Sequence, residues 1–325
     1  MTNKIKKPEI IQQSIDNEWL HVFLVANPIL AIVTKVIIEN YRIKRENVLI
    51  VSLRDTSLEI LDYEFLKIQK EKYDRYFEKI FFDSPSGRKI QKHINKSNKE
   101  FIIYSGWAFR EVNWLLKSNN CKGNINIEEG QGAYMNYTPF SFDRLSFYEK
   151  IRMNWANKVI PTAQIPNLEG TGNCFRDDTK AYIGIHNNSF PLIPNSKRFI
   201  LEKIQIVKKY YKSKTLGNRT IGLTCSASRL PKKNDTKRML KMLINYLPEG
   251  SLVKPHPSYT SSKEVFKEFI NIFNDLNSKK IKLCDASVIL EIEMMYEPKI
   301  IIGPQSSLSI YTKLLGSKYE YIKLY

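Results

Sequence analysis

Short, continuously apolar runs recur along the chain, and several are followed by a longer stretch with helical character. In the first half these runs are "HVFLVA" (21–26), "VLIVSL" (48–53), "KIFFD" (79–83) and "FIIYSG" (101–106), and "NINIEE" (124–129) follows as a strand in which Ile125 and Ile127 alternate with Asn124 and Asn126. A strand covered on both faces reads this way, because a parallel sheet flanked by helices leaves no face for polar residues. Asn27 predicts a helix cap just after the first run, with Pro28 at the first helical position. "AFREVNWLLKS" (108–118) predicts another helix.

The rhythm breaks over residues 138–197, where Pro139, Pro161, Pro166, Pro191 and Pro194 predict loops. "SKRFILEKIQIVKKYYKSK" (196–214) reads as a connecting helix. Alternation then resumes. The expected strands are "TIGLTCS" (220–226), "GSLVKPHP" (250–257, with its exit loop), "IKLCD" (281–285) and "PKIIIGP" (298–304). The expected helices are "NDTKRMLKMLINYL" (234–247), "SSKEVFKEFINIFNDL" (261–276), "SVILEIEMMYE" (287–297) and "SSLSIYTKLLG" (306–316). The pattern predicts two open α/β domains, 1–197 and 198–325, joined near residue 200, with a ligand cleft between them. Ligands of open parallel sheets sit beyond the C-terminal strand ends.

Length and composition are consistent with this reading. A chain of 325 residues with 42% hydrophobic residues can bury one large core or two ordinary ones. Lys and Arg number 51 against 33 Asp and Glu, a net charge of +18. A charge that large favours an anionic partner, without choosing among nucleic acid, a membrane surface and a phosphorylated substrate. Cys121, Cys174, Cys225 and Cys284 are far apart and show neither metal-ligand spacing nor a disulfide framework, which fits reduced thiols in the cytoplasm. "MTNKIKKPEI" leads into polar sequence and does not read as a signal peptide. The longest apolar stretch, 22–38, is interrupted by Asn27, Pro28 and Lys35, so strand-then-helix describes it better than a membrane span.

Three polar clusters sit at expected strand exits. The first is Glu128-Glu129-Gly130. Crowded carboxylates can raise the pKa of one toward a value useful in a general base, and Gly130 permits a positive φ. A solvated turn would have the same composition. The second is His256, held between Pro255 and Pro257 with Lys254 beside it. A histidine so placed is poor core filling and suits a proton or hydrogen bond donated to a phosphate. His21 reads as structural, His93 as exposed on a basic helix, and His186 as a loop residue. The third is Gly303 followed by Ser306 and Ser307 at a helix start, where free N–H groups and hydroxyls can meet an anion or serve as a plain cap.

Other chemistries lack their signatures. No G-x-x-x-x-G-K-[ST] loop is present, no G-x-G-x-x-G follows the first strand, and no zinc-ligand set or nucleic-acid module is visible.

In order and spacing, Glu128-Glu129-Gly130, His256-Pro257 and Ser306-Ser307 resemble the motifs of bacterial sialyltransferases and polysialyltransferases of the GT-B type, the lipooligosaccharide and capsule enzymes among them. The resemblance extends over residues 20–316 in architecture and over these short stretches in identity. It implies a GT-B fold, two Rossmann-like domains with parallel sheets facing a central cleft. It also implies a metal-independent, inverting transfer of sialic acid, or a related nonulosonic acid, from a CMP-sugar to a glycan hydroxyl. The acidic motif would supply the base, Glu128 or Glu129. His256 would contact the departing phosphate, and Lys254, Pro257, Gly303, Ser306 and Ser307 would complete the donor site. No cofactor is implied beyond the donor substrate.

The expected partners are a CMP-sugar and a glycan or glycolipid acceptor, with no nucleic acid and with peripheral contact to the anionic inner membrane. The oligomeric state is open, a homodimer among the options, and a C-terminal tail beyond "YIKLY" fits the reading. Two alternatives stand beside it. One is a GT-B transferase using a UDP- or GDP-sugar, for which "TCSASRLPKK" (224–233) with Arg229 would supply extra donors. The other is a non-catalytic polyanion- or glycolipid-binding protein.

Overall fold

The computed structural model describes residues 6–53, 59–68, 85–106, 110–134, 147, 179–226, 233–260, 262–277, 279–285 and 287–324. The chain forms two compact units, Met1–Ile206 and Val207–Tyr325.

In the first unit the described elements run α1 (Glu9–Asp16), β1 (Leu20–Val25), α2 (Pro28–Tyr41), β2 (Val48–Ser52), β3 (Phe65–Lys67), α3 (Pro85–Ile94), β4 (Phe101–Ser105), α4 (Arg110–Leu115), β5 (Cys121–Ile127), β6 (Thr179–Gly184) and β7 (Arg198–Ile200). The strands pair in the order β3-β2-β1-β4-β5-β6-β7, every neighbour parallel. The order reverses between β1 and β4, which makes their C-terminal ends the crevice of a doubly wound sheet.

All six residues of β1 and all five of β4 are buried, as a sheet covered on both faces requires. Such burial stabilises by about 1.5–3 kcal/mol for each large apolar side chain. The α2 helix starts as its sequence dictates: Asn27 Oδ1 accepts the Leu30 N–H at 2.8 Å, and Pro28 takes the first position. It ends where Arg42 turns left-handed at φ 53°.

The second unit runs β8 (Ile221–Leu223), α5 (Lys233–Tyr246), β9 (Leu252–Lys254), α6 (Pro257–Thr260), α7 (Lys263–Leu276), β10 (Lys282–Leu283), α8 (Leu290–Tyr296), β11 (Ile300–Gly303), α9 (Leu308–Leu314) and β12 (Lys318–Tyr321). Its sheet order is β10-β9-β8-β11-β12, again all parallel. Third, second, first, fourth, fifth is the winding of the first unit repeated, and the reversal lies between β8 and β11. Met239, Leu240, Leu243 and Leu247 of α5 and its exit, with Phe269, Ile272 and Phe273 of α7, form the core with Val253 and Ile302. Gly222 lets α5 approach the sheet, since a Cβ there would lie 2.7 Å from Leu247 Cδ1.

Two expectations from the sequence are corrected, and one strand, β3, was not anticipated. Residues 196–214 do not form a connecting helix. Arg198–Ile200 is strand β7, paired with β6, and Ile204–Tyr210 is a 3-10 helix. A central strand, β6, lies inside the stretch expected to be loop, where "TKAYIG" was masked by flanking polar sequence. The short strand β3 has no apolar signature, because Phe65 and Lys67 are exposed. The "KIFFD" strand lies outside the described residues. Among the described residues, no helix is long and apolar enough to cross a membrane.

Candidate functional site

The acidic pair stands at the exit of β5, and its two side chains go different ways. Glu128 is fully buried. Its Oε1 accepts the Tyr134 hydroxyl at 2.5 Å, and its Oε2 accepts the Ile185 N–H at 2.8 Å and the Ser189 hydroxyl at 2.6 Å. Tyr134 lies in the 3-10 turn that follows Gly130, while Ile185 and Ser189 follow β6. Glu128 therefore joins the β5 exit to the β6 exit. Gly184 leaves room for the arrangement: a Cβ there would sit 2.3 Å from Ser189 Cβ and 3.1 Å from Glu128 Oε2.

Glu129 is directed to the other side, across the end of β4. A Cβ on Gly106 would lie 2.5 Å from Glu129 Cβ, 2.9 Å from Glu129 Cγ and 2.8 Å from Leu30 Cδ2. The Glu129 carbonyl accepts the Asn27 side-chain N–H at 3.1 Å. Asn27 follows β1, so Glu129 is tied to the β1 and β4 exits, where the sheet order reverses. Gly130, at φ 135°, permits the turn that keeps both glutamates at the strand end. The two glutamates are thus held by different neighbours.

His256 follows β9 in the second unit and is exposed. Its N–H donates to Thr224 Oγ1 at 2.8 Å, which ties it to the β8 exit. The Ser258 N–H donates to His256 Nδ1 at 3.1 Å, and the Ser258 hydroxyl lies 2.8 Å from the same nitrogen. A ring nitrogen that accepts an N–H bears no proton, so the neutral imidazole carries its proton on Nε2. The Ser226 hydroxyl lies 3.4 Å from that of Ser258 and extends the polar cluster. Pro257 opens α6 and is exposed.

Lys254, the last residue of β9, donates from Nζ to the Asp285 carbonyl at 2.7 Å. Burial pushes its pKa down, while the Cys284, Glu291 and Asp285 groups oppose that shift. Burial raises the pKa of Glu291 on α8 in turn. The ammonium thus bridges the β9 and β10 exits.

Ser306 Oγ accepts the Leu308 N–H at 3.3 Å, and Ser307 precedes α9 with no side-chain cap bond. Gly303 has a packing reason, since a Cβ there would meet Leu223 Cβ at 2.7 Å. The exits of β9, β8 and β11 lie side by side on one end of the sheet, in that order. At about 4.8 Å per strand, the strands bearing His256 and Ser306 are roughly 10 Å apart, with Thr224 and Ser226 following the strand between.

The remaining histidines occupy the surroundings expected of them. His21 is buried, with Nδ1 2.8 Å from the Tyr104 hydroxyl, and burial pushes its pKa down to about 3. His93 is exposed on α3. His186, in the loop after β6, stands 6.1 Å from the Tyr134 ring. Cys121, Cys225 and Cys284 are free thiols. Cys174, Arg229 and most of the 224–233 stretch lie outside the described residues.

Tyr134, Ser189, Thr224 and Ser258 were not singled out from sequence. Their hydroxyls acquire meaning only when the sheet order places the β6 exit beside β5 and the β8 exit beside β9. The one local signal was Gly106, a glycine closing an otherwise apolar strand.

No family model matches the chain, and no match was found among curated proteins. Solved structures do resemble it. A 2,6-sialyltransferase of Photobacterium sp. JT-ISH-224, in a ternary complex with CMP and lactose, shares 14% identity over 93% of this chain and 71% of its own, with a TM-score of 0.56. S. aureus MnaA, in a co-structure with UDP, shares 11% identity over 94% and 79%, with a TM-score of 0.53. A Listeria monocytogenes protein described as a UDP-N-acetylglucosamine 2-epimerase shares 12% over 94% and 79%, with a TM-score of 0.52. These likenesses, spanning nearly the whole chain, agree with the two all-parallel, doubly wound sheets: the protein has the α/β, GT-B type of fold found in glycosyltransferases and nucleotide-sugar epimerases.

Proposed function

We propose that this protein is an inverting glycosyltransferase that moves sialic acid, or a related nonulosonic acid, from a CMP-sugar to a hydroxyl of a surface-glycan acceptor. The observation that carries the reading is the division of labour at the β5 exit. Glu128 is saturated by three donors, whereas Glu129 crosses Gly106 to the end of β4 beside the topological switch point. Glu129 is therefore the general base and Glu128 the residue that holds the loop.

In the reaction, Glu129 takes the proton of the acceptor hydroxyl as its oxygen bonds to the anomeric carbon. The bond from that carbon to the CMP phosphate breaks with the electron pair leaving on CMP. His256, with its proton on Nε2, donates to the departing phosphate oxygen. The hydroxyls of Ser306 and Ser307 add hydrogen bonds to the same anion, and the half-buried Lys254 supplies positive charge beside it. The net charge of +18 suits an anionic donor and peripheral attachment to an anionic membrane.

The test is a donor screen by calorimetry and hydrolysis with CMP-sialate, CMP-pseudaminate, UDP-N-acetylglucosamine and a GDP-sugar. The reading expects binding and slow hydrolysis of a CMP-sugar alone. Turnover of UDP-N-acetylglucosamine with no CMP-sugar binding would replace it by a UDP-sugar enzyme. No binding of any donor would favour a polyanion- or glycolipid-binding protein.

A further inference from the structure

The N-terminal end of the first sheet, opposite the strand exits, carries a groove that the proposed transfer does not use. It encloses about 570 Å³ and is lined by four asparagines, a glutamine, a serine, a lysine and a tryptophan. Asn119 and Asn120 immediately precede β5, and Asn98 shortly precedes β4. The seven residues of β5, at about 3.3 Å each, set the groove roughly 23 Å from Glu128.

The lining is chemically selective. Each side-chain amide offers two N–H donors and a carbonyl acceptor, which is what an array of sugar hydroxyls and N-acetyl groups needs. The half-buried Trp114 supplies an apolar ring for the C–H face of a pyranose. Among the described residues no carboxylate lines the groove and Lys117 is the one cation, its ammonium 4.6 Å from the Trp114 ring centroid. Arg88 stands 5.8 Å from the same ring, and Lys89, Lys92 and Lys96 are exposed on α3 and the turn after it. A surface of this sign favours an anionic occupant.

The walls are also fixed before anything binds. Gln91 donates from Nε2 to Asn95 Oδ1 at 2.7 Å, and the same nitrogen lies 3.4 Å from Ser118 Oγ. That joins α3 to the segment after α4. Asn98 closes the turn after α3 in the left-handed conformation, φ 50°. Preformed walls reduce the entropy cost of binding.

We propose that this groove is a second saccharide-binding site, taking an oligosaccharide that bears a carboxylate. Trp114 stacks on a sugar ring, the asparagine amides hydrogen-bond its hydroxyls, and Lys117 pairs with the carboxylate. The site is independent of the transfer reaction proposed above.

The probes are 3′-sialyllactose and lactose, titrated into the full chain saturated with CMP and followed by calorimetry and tryptophan fluorescence. Sialyllactose is expected to bind with a Kd of about 0.1–1 mM, at least about threefold tighter than lactose. Trp114→Ala should weaken it at least about tenfold. Because Trp114 is half-buried, the exposed pair Asn119→Ala/Asn120→Ala provides the second test, with an expected loss of about fivefold. Lys117→Met should remove the preference for sialyllactose over lactose. None of these changes should alter the stabilisation by CMP. The proposal is overturned if sialyllactose shows no saturable binding up to about 10 mM. It is equally overturned if binding is the same in all three variants.

Discussion

Glu129 passes so close over Gly106 that a single added carbon on the glycine would lie 2.5 Å from Glu129 Cβ. The position of the proposed base thus depends on the absence of a side chain at the end of β4. Gly106→Ala is expected to displace Glu129 and Leu30, destabilise the first unit by about 1–3 kcal/mol and lower transfer without weakening CMP binding. Chemical denaturation together with CMP calorimetry on the same variant checks both parts.

Glu128 has the opposite role, and its replacement should read out in stability. A Gln side chain keeps one acceptor oxygen but turns an NH2 toward at least one of the Tyr134, Ser189 and Ile185 donors. Glu128→Gln is expected to cost about 2–3 kcal/mol. For a unit of this size that lowers Tm by about 5–10 °C. Differential scanning calorimetry decides it, and a Tm equal to the parent's would contradict the anchoring role.

His21 makes acid stability a test of the core. Its pKa is depressed by burial to about 3, against 6.5 when exposed. Between those values the unfolded chain binds a proton that the native protein does not. Its contribution is therefore fully present above pH 6.5 and declines as pH falls, by about 1.4 kcal/mol per pH unit, toward pH 3. His21→Gln should flatten the pH dependence of unfolding free energy between pH 4.5 and 6.5 by about that slope. Urea titrations across this range measure it, and parallel curves for variant and parent would contradict it.

In the second unit, CMP binding is the readout. At one hundred times its Kd, CMP should stabilise the chain by about 2.7 kcal/mol. Thr224→Val removes the acceptor that fixes the His256 N–H and is expected to weaken CMP about fivefold, near 1 kcal/mol. Ser306→Ala with Ser307→Ala should reduce the CMP-induced shift as well. Chelation by EDTA should leave transfer unchanged. An unaltered CMP shift in both sets of variants would move the phosphate site elsewhere.

Much of this frame was legible in the chain. Continuous apolar strands, the Asn27–Pro28 start of α2 and the helical stretch 261–276 that contains α7 all announce themselves locally. The three polar clusters fall at strand exits, although the strands themselves also bury polar side chains, His21, Ser105, Asn124 and Asn126 among them. What escaped was set by tertiary neighbours. Strand β6 has six residues but is framed by polar sequence, so its burial depends on β5 and β7 rather than on its own pattern. The separate roles of Glu128 and Glu129 depend on which exit each faces. That follows from strand order and from Gly106 and Gly184, none of it carried by the dipeptide itself.

The central claim, that Glu129 is the base and Glu128 the anchor, is tested most directly by single-turnover transfer with Glu129→Gln, in a preparation shown to bind CMP as the parent does. The account predicts a loss of about 10²- to 10⁴-fold in the transfer rate with CMP stabilisation retained. Transfer at the parent rate by Glu129→Gln would contradict it.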